Sequence, residues 1–469
     1  MTSIDISSNI QSGSKARLIP VPADSKKEER ATSVLLSTFM LVPQFAEAVL
    51  SDAGAKIGAR SNIKCFTEIV FKRKGQNRLR PDGLITITNR NKSWSALIES
   101  KVGNNVLTKD QIEAYIDLAK EVGADALITI SNQFAIIPTH HPVAVNRNKT
   151  RSIDLFHFSW LSLLSKASII SGAKAVDDRE QAFVLRELIR YLDHQSSGVA
   201  PMTSMNPEWK DLCMAVQQGA VLKKTAPETE ATAIAWQQLL RFVSLELSVA
   251  TNRVCHVNLS RAHARNPQAL LQAERDKLAS KYLLSGSLSV PNAAGPIEIS
   301  ADIVRKVLTV SMKVNAPQDR SRATASINWL TRQLKDKAES DLLVKAVWPG
   351  MTSDTQCSLN EALDDPNKLI PEGFKEIPKA FEVIRVIDMG VKFKGKKTFV
   401  DLSVAAIPEF YRDAGQNLTK WVAPPPKAKS DKHDSIDDEE IGELPKSNIE
   451  VEVIDEIPSW ALDYSTKPT

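Results

Sequence analysis

Two short runs and one helix-like stretch in the first quarter of the chain hold residue types that can act together on a phosphate. Arg80-Pro81-Asp82-Gly83 enters one strand-like run, Ile98-Glu99-Ser100-Lys101 sits in the next, and Gln111 and Tyr115 follow. Alternation along a strand puts Glu99 and Lys101 on the same face. Adjacent strands lie ~4.8 Å apart, so an aspartate at position 82 on the neighbouring strand reaches the same spot. Two carboxylates, Asp82 and Glu99, with a backbone carbonyl such as that of Ser100, suit a hard divalent cation, Mg²⁺ or Mn²⁺. A lysine beside them, Lys101, can orient or help deprotonate a water and offset charge developing on a phosphate. The plainer alternative makes Asp82 the cap of a turn with Gly83, and Glu99 and Lys101 surface charges. Ala96, Leu97, Ile98 and Val102 argue against it, because they make this a mostly buried strand where unpaired charge is costly. Glu68 also alternates within its strand and reads as a plain ion pair.

The elements that must hold these residues can be read from the apolar pattern. A helix is expected from about Lys26 to Leu50, with Pro43 kinking or splitting it. Strands follow at Lys64–Lys72, Leu79–Thr88 and Trp94–Val102, separated by turn-forming residues at 74–77 and 89–92. Thr108 caps a helix that Gly123 ends, and Ala124–Ser131 and Ile153–Phe158 are further strands. Helices dominate from Asp177 to about Val249, broken by the turn-rich stretch from Ser196 to Pro207. Beyond them, Leu283–Val290, Ile297–Val314, Leu342–Val347 and Phe381–Ile387 are expected as strands, and Ala323–Ala338 as a helix. Val391–Leu402 reads as a hairpin about Lys394–Lys397.

The motif and the order helix, three-strand meander, helix, strand resemble the PD-(D/E)XK nuclease superfamily over about the first 40% of the chain. The resemblance implies a restriction-endonuclease-like mixed sheet flanked by helices and a magnesium-dependent endonuclease. By position, Asp82 is similar to the motif aspartate, Glu99 to the second acid and Lys101 to the motif lysine. Gln111 and Tyr115 resemble the Gln-x-x-x-Tyr that some members place near the site. Glu29, or with less support Glu28, matches the acid some members carry on the first helix. The expected organisation is then a flexible N-terminus (1–25), the nuclease-like α/β domain (26–195) and a helical then α+β targeting or assembly domain (196–421). A disordered acidic tail with a short apolar clip (422–469) completes it.

Charge adds a partner to this picture. Between residues 56 and 109 twelve basic side chains face only Glu68, Asp82 and Glu99. A local field of that sign suits nucleic acid, DNA first, with Arg73, Lys74, Arg78 and Arg90 as the expected phosphate contacts. From 430 to 464 the balance reverses, with twelve acidic residues against Lys432 and Lys446. Such a tail is expected to be disordered, and either solubilises the chain or competes with nucleic acid for the basic groove. Composition, 42% apolar and 25% charged, is that of an ordinary globular protein, and no run reaches a membrane-spanning length. The absence of an apolar leader and the scattered Cys65, Cys213, Cys255 and Cys357 point to a reducing, cytoplasmic setting.

Weaker candidates are His140-His141-Pro142 in a loop, and Cys255-His256 with His263, which lacks a fourth zinc ligand at sensible spacing. Trp329 and Trp348 read as core aromatics, and Arg320, Arg322, Arg332 and Lys335 as either a solvated face or a phosphate contact. Two other functions stay open. One is a catalytically inactive nucleic-acid-binding subunit; the other is a stress-response scaffold whose basic patch meets an acidic protein. A role in microbial defence against viruses, or in repair, follows by family analogy alone, as does assembly with copies or partners through the C-terminal domain.

Overall fold

The computed structural model describes residues 9–19, 26–72, 79–89, 92–338, 340–350 and 354–422. Strand β1 (Ile10–Lys15) lies antiparallel on β2 (Asn62–Phe71), so part of the N-terminal stretch expected to be flexible is an ordered edge strand. Five of its six residues are exposed, which is why it left no apolar signature; its backbone ladder holds it. Helix α1 (Lys27–Leu41) buries an unbroken run from Ala31 to Phe39. Pro43 then opens α2 (Pro43–Leu50), and the chain bends by 112° between the two. The proline splits the helix because it occupies a first-turn position, where its missing N–H costs nothing.

β3 (Gly83–Asn89) and β4 (Lys92–Ser100) complete an antiparallel meander with β2. Helix α3 (Lys109–Val122) is capped by the Thr108 side chain and closed by Gly123, whose φ of 76° suits glycine. It crosses to β5 (Ala126–Ser131), parallel to β4, and β6 (Asp154–Ser159) lies parallel to β5. The first sheet therefore runs β1-β2-β3-β4-β5-β6, antiparallel on one side and parallel on the other. Two apolar clusters cover it. Ala96 and Ile98 pack towards α1 and α2, while Leu97 packs towards α3 with Ile112 and Ile116.

Helices α4 (Trp160–Gly172), α5 (Arg179–Asp193), α6 (Trp209–Gln217) and α7 (Pro227–Thr251) follow. The turn-rich stretch expected at 196–207 is tied to the first sheet: the Gly198 carbonyl accepts from the Gly103 amide at 2.8 Å. After α7 come β7 (His256–Val257), α8 (Arg261–Arg265), α9 (Pro267–Lys281), β8 (Leu283–Ser289), β9 (Ile297–Asp302) and β10 (Val307–Asn315). Then come α10 (Ala323–Gln333), β11 (Leu342–Val347), β12 (Thr355–Ser358), α11 (Leu359–Asp364), β13 (Ala380–Asp388) and α12 (Lys396–Phe410). The second sheet is antiparallel throughout, in the order β12-β11-β13-β10-β9-β8-β7.

The expected hairpin at Val391–Leu402 is instead a 3₁₀ turn, Gly390–Lys392, followed by α12. Phe399, Val400, Ser403, Ala406, Ile407 and Phe410 are buried at helical spacing, a period that emerges only when the reading continues past 402. The single expected strand Ile297–Val314 is two, β9 and β10, joined by a turn. One apolar core includes residues of both sheets, among them Ile98, Trp209, Trp236, Val310 and Phe381. The described residues up to Trp421 form one compact unit. No single helix among the described residues is long and apolar enough to cross a membrane.

Candidate active site

Asp82 stands at the entry to β3, and the chain around it is built to hold it. The Glu68 amide donates to the Asp82 carbonyl at 3.1 Å, from a residue in left-handed backbone with φ of 55°. The Glu68 carboxylate pairs with Arg80, as its strand position suggested. Gly83 is glycine for a packing reason. A Cβ there would lie 2.7 Å from Leu36 Cδ1 of α1 and 3.1 Å from Ile98 Cβ. The glycine therefore lets α1 settle directly on the sheet beside Asp82.

From β4, the Ser100 amide and hydroxyl both donate to Asp82 Oδ2, at 2.7 and 3.1 Å. The Ser100 hydroxyl also meets Thr32 Oγ1 of α1 at 2.6 Å. Ser100, expected as a metal ligand through its carbonyl, is fully buried, and its side chain serves to fix Asp82. Glu99 is 2% exposed. Its Oε1 accepts from Lys101 Nζ and from Gln111 Nε2, each at 2.6 Å. Its Oε2 is buried with no hydrogen-bond partner. Lys101 Nζ also lies 3.6 Å from Glu28 Oε2, while the other Glu28 oxygen accepts from Asn105 at 2.7 Å. The Lys101 carbonyl accepts from Trp160 Nε1 at 2.9 Å, which anchors the end of β4 to the start of α4. The structure thus brings together Asp82, Glu99, Lys101 and Gln111.

It also changes one assignment. Glu29 pairs with Lys26, and Glu28 is the first-helix acid at the site. Tyr115 donates to the Arg80 carbonyl at 3.1 Å, bracing the approach to Asp82. Arg73, Lys74, Arg78 and Arg90, the expected phosphate contacts, lie outside the described residues, as does the acidic stretch beyond Val422.

The electrostatics follow from packing acids together. Burial pushes the Asp82 carboxyl up to about 6, against the opposing pull of the Ser100 bonds and the Lys101 charge. Burial, then the Asp82 charge, pushes Glu99 up to about 8, against the pull of Lys101 and of the Tyr115 hydroxyl. Burial drags Lys101 down, but Glu99, Asp82 and Glu28 outweigh it and hold the ammonium above its ordinary value. Lys101 therefore holds its charge beside the two acids in this fold.

No known family model matches the chain, and no curated protein does. The functional reading accordingly stands on this geometry.

Among the described residues no group of three or more His, Cys, Asp or Glu is arranged to hold a metal ion. The two-carboxylate site still fits a hard divalent cation on separate grounds. Glu99 Oε2 is an acceptor without a donor, and burial raises both acids, a cost that a bound cation would offset. A site of two carboxylates in which the cation keeps several waters is ordinary for Mg²⁺.

The other candidates resolve into scaffolding. His141 Nε2 and His157 Nδ1 share the Thr129 hydroxyl at 2.8 and 2.9 Å. Thr129 stands opposite Glu99 in the β4–β5 register, so this network stiffens the strand beside the acid. Burial lowers His141 to about 4 and His157 to about 3, so both are neutral at pH 7. His140 bonds the Ala264 carbonyl. Trp348 is buried in the core, and Trp329 packs against it half-buried, as their core reading implied.

Proposed function

We propose that the chain is a metal-dependent nuclease that hydrolyses phosphodiester bonds, with Asp82, Glu99, Lys101 and Gln111 as its working residues. One observation supports this most. Glu99 presents a buried, unpartnered oxygen next to Asp82 and Lys101, in a protein that satisfies Glu99's other oxygen twice. An orphaned buried acceptor costs about 1–3 kcal/mol, and such costs persist where a ligand relieves them. The mixed sheet, with α1 on one face and α3 on the other, supports a restriction-endonuclease-like arrangement of the first half.

Asp82 and Glu99 would hold Mg²⁺ or Mn²⁺, with the Ser100 carbonyl as a third oxygen. The cation, when bound, supplies Lewis-acid stabilisation of charge developing on the phosphoryl oxygens. Gln111 fixes the rotamer of Glu99, and the Ser100 amide fixes that of Asp82, so both carboxylates are aimed before substrate arrives. Lys101 keeps its proton on Nζ and offers positive charge where negative charge grows. Glu28 draws the ammonium towards α1 and limits its reach.

The test is cleavage by the purified protein with Mg²⁺ or Mn²⁺ against duplex DNA, single-stranded DNA and RNA. Metal-dependent cuts, lost in Glu99→Gln, are the expected result. Salt-sensitive binding with no cleavage of any of the three would replace the nuclease with a nucleic-acid-binding subunit.

A further inference from the structure

At the opposite end of β4, on the opposite face of the sheet, lies a second feature the nuclease reading leaves unused. Trp94 pairs directly with Ile87, so the two side chains share one face of the β3–β4 hairpin. Alternation adds Lys92 and Asn89 to that face. Trp94 packs with the α1 side of the sheet, whereas Glu99 and Gln111 meet on the α3 side. Five residues of strand separate Trp94 from Glu99, about 17 Å. The two places cannot grip the same phosphate.

The loop after α2 covers this face and is tied to it. Asn89 Nδ2 donates to the Lys56 carbonyl at 3.0 Å, and Asn89 Oδ1 accepts from Ser61 at 2.8 Å. The Ser61 hydroxyl also accepts from the Gly58 amide at 2.8 Å, closing the loop on itself. Between loop and hairpin is a cavity of about 830 Å³, lined by Lys56, Arg60, Lys92, Ile87 and Trp94, and, among the described residues, by no acidic one. Gly54 and Gly58 line it too, and a Cβ added at either would meet nothing within 4 Å.

The combination is specific in its chemistry. An aromatic wall with an aliphatic neighbour takes a flat heterocycle, and exposed cations at its rim take phosphates. The volume falls in the range of small-molecule sites, roughly 300–1,000 Å³. We propose that this cavity binds a nucleoside phosphate, its base against Trp94 and its phosphates towards Lys56, Arg60 and Lys92. Such a group can come as a free nucleotide or as the terminal nucleotide of a strand. The proposal is independent of the nuclease reading.

Calorimetry on the full chain without divalent metal tests it, using AMP, ATP, inorganic tripolyphosphate and a 5′-phosphorylated ten-residue oligothymidylate as probes. ATP or the oligonucleotide should bind at least tenfold more tightly than tripolyphosphate, and their ranking identifies the source. Arg60→Gln combined with Lys92→Gln should weaken binding at least tenfold, as should Trp94→Leu. The exposed Arg60 and Lys92 keep the test valid if Trp94→Leu fails to fold. Glu99→Gln should bind the nucleotide as the parent does, whether or not the parent cleaves. If neither ATP nor the oligonucleotide bound more tightly than tripolyphosphate, or if affinity were unchanged in the Arg60/Lys92 variant, the site would be overturned.

Discussion

Arg385 on β13 and Glu99 on β4 are both charged side chains buried within a sheet, and their surroundings differ atom by atom. The Arg385 guanidinium donates to Asp341 at 2.6 Å and to Asp413 at 3.1 Å. Burial raises Asp413, but Arg385, Arg412 and Lys337 outweigh it and hold the carboxyl below its ordinary value. Glu99 has one oxygen held twice and a second, buried oxygen with no hydrogen-bond partner, and its carboxyl is pushed up to about 8 against the pull of Lys101 and Tyr115. Arg385 thus has its buried charge balanced by two carboxylates. The first sheet leaves carboxylates short of positive charge in its middle, where three acids, Glu28, Asp82 and Glu99, approach one lysine. Burial alone does not distinguish a structural charge from a working one; the balance of partners around it does.

The largest effect that would separate the two regions is on activity. Glu99→Gln and Asp82→Asn should each lower the cleavage rate by roughly 10²–10³-fold or more while the circular dichroism spectrum is retained. Arg385→Met should leave the rate within about twofold, since its ion-pair partners, Asp341 and Asp413, lie outside the first sheet. A cleavage rate that followed Arg385 rather than Glu99 would dissolve the distinction.

Stability should respond in the reverse order. Arg385→Met strands the partly buried Asp413, which keeps Lys337 and Arg412, so a loss of about 2 kcal/mol is expected in urea unfolding. Glu99→Gln should be close to neutral at pH 7, because that carboxyl is already largely protonated in the metal-free fold.

The pH dependence sharpens the comparison further. Glu99 sits near 8 in the fold against an ordinary 4.5, so the folded state binds the extra proton across that window. Stability of the metal-free protein should therefore fall as pH rises from about 4.5 to 8, with Asp82 adding to the fall between about 4 and 6 and the buried Glu246 and Glu274 adding to it up to about 7. Glu99→Gln should flatten the upper part of that curve. Saturating Mg²⁺ should do the same, with proton release visible in calorimetry as a buffer-dependent heat. A flat melting temperature across the window in the parent protein would mean that the acids are better compensated than their contacts indicate.

The smallest effect belongs to Tyr115. Tyr115→Phe removes one hydrogen bond to the Arg80 carbonyl and should cost about 1 kcal/mol with a few-fold loss of rate. No change in either would demote it from the group that positions Asp82.

Much of the first sheet was legible because its strands are short, apolar and separated by turn-forming residues. The α3 caps were legible because Thr108 and Gly123 act locally. Strand β1 was not, since an exposed edge held by its backbone ladder has no side-chain pattern to read. Helix α12 was misread because its first turns mimic alternation, and its helical burial shows only over all fifteen residues. The choice of Glu28 over Glu29 was not readable from residue type, because adjacent positions on a helix differ by only ~100° of rotation. Packing of α1 on Gly83 sets that rotation.

Local chemistry in the sequence determined the pairing of Glu99 with Lys101, because strand alternation is a property of the backbone alone. It likewise determined the break at Pro43 and the limits of α3. Only the tertiary structure decided that Glu99 would keep an empty oxygen, that Ser100 would secure Asp82, and that Trp94 would face a cavity rimmed by Lys56 and Arg60. Each of these depends on which distant segment arrives at a strand face. Hydrogen-bond satisfaction and cavity shape are sums over such arrivals, and no window of neighbouring residues contains them.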